Sequence, residues 1–160
     1  MIKKQSKADF LRGWNLPYPS FQYHHLRYKQ PPEKGVLWYY FSLYIRQRDI
    51  EKWGTCISCG QPITMLNAQA GHFMPADDCG RDLLFDERNV NGECAHCNAF
   101  DGAHLLGYAE NLDKRYGPGT AQELRERRER YRKGRDGVIK DWKKDVYAEK
   151  IRALPTYTQE

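Results

Sequence analysis

Two Cys-x-x-Cys pairs, Cys56/Cys59 in "CISCG" and Cys94/Cys97 in "ECAHC", constrain this chain more than any other feature. Together they offer four thiolates, the number that closes a tetrahedral Zn²⁺ site. Such a site is structural: each pair folds as a knuckle, and one shared ion clamps the hairpin and loop between them. Four unrelated thiols would not fall into two pairs of the same spacing. An iron–sulfur cluster uses the same ligands but leaves the residues between the pairs unexplained. Of the five cysteines, Cys79 stands apart and reads as a free loop thiol. An odd number arranged mostly in pairs suits metal chemistry in a reducing compartment, not a disulfide framework.

A staple of this kind is what the rest of the chain needs. At 160 residues there is room for one small core with helical extensions. The hydrophobic share is 40%, but it is scattered among aromatics, short aliphatic runs and prolines, so the aliphatic core is modest. The apolar-aromatic run from Val36 to Ile45 is too short to span a bilayer, and "MIKKQSKADF" has basic residues with no apolar stretch behind them. The expectation is a soluble cytoplasmic protein with no membrane partner.

Patterning divides the chain into an aromatic and basic arm (1–35), a cysteine-bearing core (36–117) and a basic helical extension (118–160). Leu37, Tyr40, Phe41, Tyr44 and Ile45 fall at helical spacing and predict a helix from Val36 to about Asp49. "ITML" and "AQAGHF" read as two short strands, and residues 74–87 as a loop broken by Pro75 and Gly80. A helix is expected from Asn98 to about Tyr116, stopped by "GPG" at 117–119. Thr120 and Glu123 have the spacing of a capping box for a charged helix running to Lys133. A last helix is expected from Val138 to about Ala153, ending before Pro155.

Net charge is +5, a moderate excess that suits a polyanionic partner. Its distribution says more. Acidic residues outnumber basic ones between Gly71 and Asp113, whereas "RERRERYRKGR" (125–135) and "KDWKK" (140–144) concentrate positive charge. A basic periphery around an acidic, cysteine-rich centre suits DNA phosphates meeting a bound cation. Arg125, Arg127, Arg128, Arg132, Lys140, Lys143 and Lys144 are the candidate phosphate contacts, although alternating Glu and Arg also make a solvated helix face. In the arm, "FQYHHLRYK" can stack on unpaired bases or on the core.

Between and after the pairs stand His72 in "AGHF", Asn89 in "ERNVNGEC" and Asn98, directly behind the second knuckle. A zinc-held hairpin ending near a histidine, then a knuckle and a helix starting with Asn or His, resembles the ββα-metal nucleases of the HNH group. The linked elements "YIRQRD…CISCG…AGHF…LLF…NVNGECAHCN" resemble the lambdoid phage NinG/Rap recombination endonucleases over about residues 37–117. The layout is also similar to phage endonuclease VII. The resemblance implies an α+β fold: a small zinc-stapled ββα-metal core, treble-clef-like, with flanking helices.

It further implies Cys56, Cys59, Cys94 and Cys97 as zinc ligands, His72 as the general base and Asn98 as ligand of a catalytic Mg²⁺ or Mn²⁺. Asn89 takes the place of the middle HNH residue, holding the loop that positions the histidine. The endonuclease VII type has an aspartate directly before the histidine as a second ligand, and here that position is Gly71. Asp101, Asp77 and Asp78 are the candidates to replace it, Asp101 being three residues beyond Asn98 on nearly the same helical face. His96 reads as solvent-facing and His104 as surface or packing. The implied activity is metal-dependent endonucleolytic cleavage of branched, Holliday-junction-like DNA, leaving a 5′-phosphate and a 3′-hydroxyl, in the cytoplasm of a bacterial host. Two-strand cutting implies a homodimer by analogy. The rival readings are an HNH nickase acting on duplex DNA and a non-catalytic zinc module that binds DNA or protein.

Overall fold

A long helix opens the part of the chain that the computed structural model describes, namely residues 32–100, 104–134 and 142–155. The elements are α1 (Pro32–Lys52), β1 (Ala68–His72), α2 (Gly80–Leu84), β2 (Val90–Cys94), α3 (Ala95–Phe100), α4 (His104–Tyr116), α5 (Thr120–Arg132) and α6 (Lys144–Ala153). They make a mixed α+β chain divided into two compact units. Among the described residues, one unit comprises 32–41 with 142–155, and the other comprises 42–134 and holds both cysteine pairs. No described helix is long and apolar enough to cross a membrane.

In the first unit α1 buries Val36, Leu37, Tyr40 and Phe41, and α6 buries Tyr147, Ala148 and Ile151. Those spacings are single helical stripes. The expected helix from Val138 begins instead at Lys144, because Lys143 is extended with ψ 159° and Trp142 lies before the helix. Trp142 packs edge-on against Tyr147 at 5.3 Å. Val138 and Ile139 lie outside the described residues, as does the N-terminal arm.

The second unit is built around an antiparallel hairpin. β1 pairs with β2 in the register Ala68↔Cys94, Ala70↔Gly92 and His72↔Val90, so the second knuckle starts where the pairing ends. The strand partner of "AQAGH" is thus "VNGEC", not the expected "ITML". Residues 64–67 turn instead: Asn67 Oδ1 accepts from the Thr64 amide at 2.7 Å, and Leu66 is exposed. The end of α1 secures β2 from outside. Buried Asp49 accepts from the Gly92 amide at 2.5 Å, and Arg48 donates to the carbonyls of Glu87 and Val90.

The link from β1 to β2 is not all loop, since α2 contributes one turn. Its Leu83 and Leu84 join Ile57, Phe73, Met74, Tyr108, Leu112, Ala121 and Leu124 in the main core. Cys79 is the expected free thiol in the loop before α2, but it lies fully buried in this core. Burial and the carboxylate of Asp82 push its thiol up to about 12.

α5 packs on α2 and α4, within the same unit as the hairpin. Its N-cap is Gly119, at φ +88°, and the expected Thr120 capping box does not form. Thr120 Oγ1 donates back to the Gly117 carbonyl, Asp113 Oδ1 accepts from the Ala121 amide, and Glu123 is held by both arms of Arg88 at 2.7 and 2.8 Å.

Candidate functional site

The sulfur atoms of Cys56, Cys59, Cys94 and Cys97 all lie within 4.8 Å of one another. Among the described residues they are the only such group of three or more possible metal ligands. The local chain explains the convergence. In the first knuckle the Gly60 amide donates to the Cys56 carbonyl, and Gly60 takes φ +75°, which a side chain would resist. The Ile57 amide donates to Gly92 and so seats that knuckle on β2. Cys94 ends β2 and Cys97 sits in the first turns of α3, buried beside Cys56 and Ile63. Burial pushes the Cys56 and Cys97 thiols above their ordinary range, and neighbouring sulfurs add to the rise at Cys97. Four sulfurs at this spacing ionise together only around a cation, and their number and softness fit zinc.

α4 locks this staple to the hairpin through two stripes. On one, Gly107 lies so close to the first knuckle that a β-carbon there would stand 2.0 Å from the Ser58 carbonyl oxygen. Along the same stripe Asn111 donates to the Ile57 carbonyl at 2.6 Å and Arg115 to that of Thr55 at 2.9 Å. On the other stripe the buried Tyr108 hydroxyl donates to the Gly71 carbonyl at 2.8 Å and accepts from Asn91 at 3.2 Å. Tyr108 therefore ties the end of β1 to β2.

Pairing in register puts Gln69, Gly71, Asn91 and Glu93 on one face of the hairpin and Ala70, His72, Val90 and Gly92 on the other. The first face meets α3 and α4. There Asn98 donates from Nδ2 to Gln69 Oε1 at 2.7 Å, which orients its amide oxygen toward Gly71. That oxygen lies 2.9 Å from where a β-carbon of Gly71 would stand, and Glu93 Oε2 lies 1.8 Å from the same point. The carboxylate of Glu93 is fully buried. Its Oε1 accepts from Ser58 Oγ at 2.5 Å and stands 3.1 Å from His104 Nδ1, while Oε2 has no hydrogen-bond partner. Burial raises the Glu93 carboxyl above the usual range, opposed by Ser58 and His104.

His72, at the end of β1, has its Nε2 3.0 Å from the Leu84 carbonyl oxygen. A carbonyl only accepts, so Nε2 carries the proton and the lone pair of the neutral ring is on Nδ1. Burial lowers the pKa of this histidine and favours that neutral form. Asn89, fully buried, holds the same loop at three points: Oδ1 accepts from the Met74 amide at 2.7 Å, and Nδ2 donates to the carbonyls of Met74 and Leu83 at 3.2 and 2.9 Å.

The other candidates are dispersed. Asp101 and Lys140 lie outside the described residues, Asp77 is exposed, and His96 is exposed in the knuckle. Asp78 faces α5, where Arg128 and Arg132 bind it. Arg127 pairs with Asp86 at 2.5 Å and with Asp82 at 3.4 Å, and Arg125 lies over the Phe73 ring at 5.1 Å. These arginines thus hold the 78–86 segment and part of their charge is already matched. Lys143 and Lys144 are exposed in the other unit. Glu93, Ser58 and Tyr108 were not among the site residues the sequence singled out. The one signal pointing to Glu93 was its place directly before a cysteine ligand, opposite the Gly-His pair.

The model of the family described as "Bacteriophage Lambda NinG protein" matches residues 36–156. Curated relatives called "Protein ninG" include those of Escherichia phage 933W, 35% identical over 91 residues, and Escherichia phage lambda, 34% identical over 91 residues. In both cases the match covers 56% of this chain and 42% of the relative, so the chain spans well under half the length of those proteins. No solved structure matches.

Proposed function

This chain belongs to the NinG family, and from that premise we propose that it is a metal-dependent DNA endonuclease acting on branched, Holliday-junction-like DNA. The observation that carries the reading is the placement of His72 and Asn98 around Gly71. The histidine follows Gly71 on a zinc-stapled strand, and the amide oxygen of Asn98 faces Gly71 from the helix behind the second knuckle. A general base and a hard-cation ligand are thereby one strand position apart, on opposite faces of the hairpin.

His72 takes the proton of the attacking water at Nδ1, its Nε2–H being engaged by Leu84. Asn89 keeps that carbonyl in place by holding its neighbour Leu83. Gln69 keeps the oxygen of Asn98 pointed at the space over Gly71, which an oxygen-seeking ion such as Mg²⁺ or Mn²⁺ fits. When bound there, the cation supplies electrostatic stabilisation to the phosphate and the leaving oxygen. Exposed lysines and arginines hold backbone phosphates, so recognition follows shape more than sequence. The assignment to branched DNA is tested by comparing cleavage of a four-way junction with cleavage of its linear arms in Mg²⁺. The reading requires a clear preference for the junction; equal cutting of the arms turns the assignment to a duplex nickase, and no cutting of either turns it to a binding module.

A further inference from the structure

We infer that Glu93 supplies the acidic ligand of the catalytic cation, delivered from β2 into the space that an aspartate at position 71 would fill. The inference rests on the nuclease reading above and deepens it. Three observations carry it. A β-carbon on Gly71 would meet Glu93 Oε2 at 1.8 Å and Asn98 Oδ1 at 2.9 Å, so a carboxylate oxygen and an amide oxygen converge over one glycine. Both are acceptors, and Glu93 Oε2 has no hydrogen-bond partner among the described residues. A fully buried carboxylate with one oxygen left bare is costly unless something positive meets it. The other oxygen, Oε1, is anchored by Ser58 beside the first zinc cysteine pair and faces His104, so the side chain is aimed, not merely enclosed.

The placement also explains Gly71. A side chain at this position would displace the Glu93 carboxylate, so the glycine and the glutamate are complementary halves of one arrangement. Among the sequence's own candidates, Asp78 is already bound by Arg128 and Arg132 of α5. A carboxylate and an amide oxygen are hard ligands, the kind that Mg²⁺ and Mn²⁺ take alongside water and phosphate oxygens.

The test is direct Mn²⁺ binding to the zinc-loaded chain, without DNA, read by the free-Mn²⁺ electron paramagnetic resonance signal. Glu93→Gln keeps the length of the side chain and its reach to Ser58, so a merely structural role leaves Mn²⁺ binding unchanged. The inference predicts that Glu93→Gln weakens Mn²⁺ binding by about tenfold or more, since groups that only support a metal site cost 10–100-fold. Zinc content and melting temperature are expected to remain. A second variant moves the carboxylate: Gly71→Asp combined with Glu93→Ala is expected to recover Mn²⁺ binding that Glu93→Ala alone loses. Wild-type Mn²⁺ affinity in Glu93→Gln overturns the inference. Junction cleavage by the same preparations separates the two claims: cutting that needs His72 but not Glu93 defeats the inference and leaves the nuclease reading standing, whereas cutting that survives His72→Ala defeats the reading itself.

Discussion

Asn89 places every hydrogen-bonding atom of its amide against one loop, taking the Met74 amide and the carbonyls of Met74 and Leu83. Asn89→Ala strips the Met74 amide and carbonyl of this partner in the interior, while the Leu83 carbonyl keeps the Asp86 amide; the cost is about 1–3 kcal/mol for each buried group left unpaired. Urea unfolding should register a loss of at least one such group; a change within error would mean that the loop holds itself. His72 gives a pH signature. Its pKa in the folded chain is lowered by burial, from about 6.5 in the unfolded chain. Just below 6.5 the unfolded state therefore binds more protons, and stability falls as pH drops through that window. His72→Ala should remove this component, so the stability difference between variant and wild type narrows or reverses as pH falls from 7.5 to 5; parallel pH curves would contradict it. Single residues were legible where their chemistry is rare. Paired cysteines, a histidine after glycine and an asparagine after a knuckle announce themselves. Glu93 and Tyr108 did not, because what they touch depends on strand register and on where α4 lands.

α4 is the element on which the site depends, since its Gly107 stripe meets the first knuckle and its Tyr108 stripe the hairpin. Gly107→Ala sets a methyl 2.0 Å from a backbone oxygen that has little freedom to move. Crowding of that kind costs about 1–3 kcal/mol. The expected result is a lower melting temperature and faster loss of zinc to a chelator, and unaltered zinc retention would show that α4 and the staple are independent. The sequence read α1 well, because its apolar residues at 3.6 spacing mark a buried face whatever it packs on; it missed α2 and began the last helix too early. Strands were another matter. "VNGEC" has little strand propensity of its own, and its backbone is held by Arg48 and Asp49 on α1 and by the Ile57 amide of the first knuckle. "ITML" looks like a strand but turns, because Thr64 and Asn67 bond each other's backbone. The capping box at Thr120 failed for a similar reason, Glu123 being drawn away by Arg88.

Across the whole molecule the charge pattern means less than a basic tail suggests. Arg127 and Arg128 on α5 are engaged by Asp86 and Asp78, whereas Lys143 is exposed. Removing a lysine that meets a phosphate should therefore lessen the salt dependence of DNA binding by about 0.9 in the log–log slope. Lys143→Ala is expected to do so, and Arg127→Ala to lower stability with little change in slope; the opposite pattern would make α5 the DNA-binding face. What the sequence did not make legible is that α5, basic in composition, packs on α2 and α4 through Ala121 and Leu124. The central claim joins all three scales: a zinc-held hairpin presents His72 as the base of a DNA-cutting site. It is tested most directly by cleavage of a four-way junction in Mg²⁺ and in Mn²⁺, with His72→Ala beside the wild type. Junction binding should persist in the variant while cleavage falls by roughly 10²–10⁴-fold in both ions, the usual contribution of a positioned acid–base group. Cleavage by His72→Ala at the wild-type rate would contradict the account.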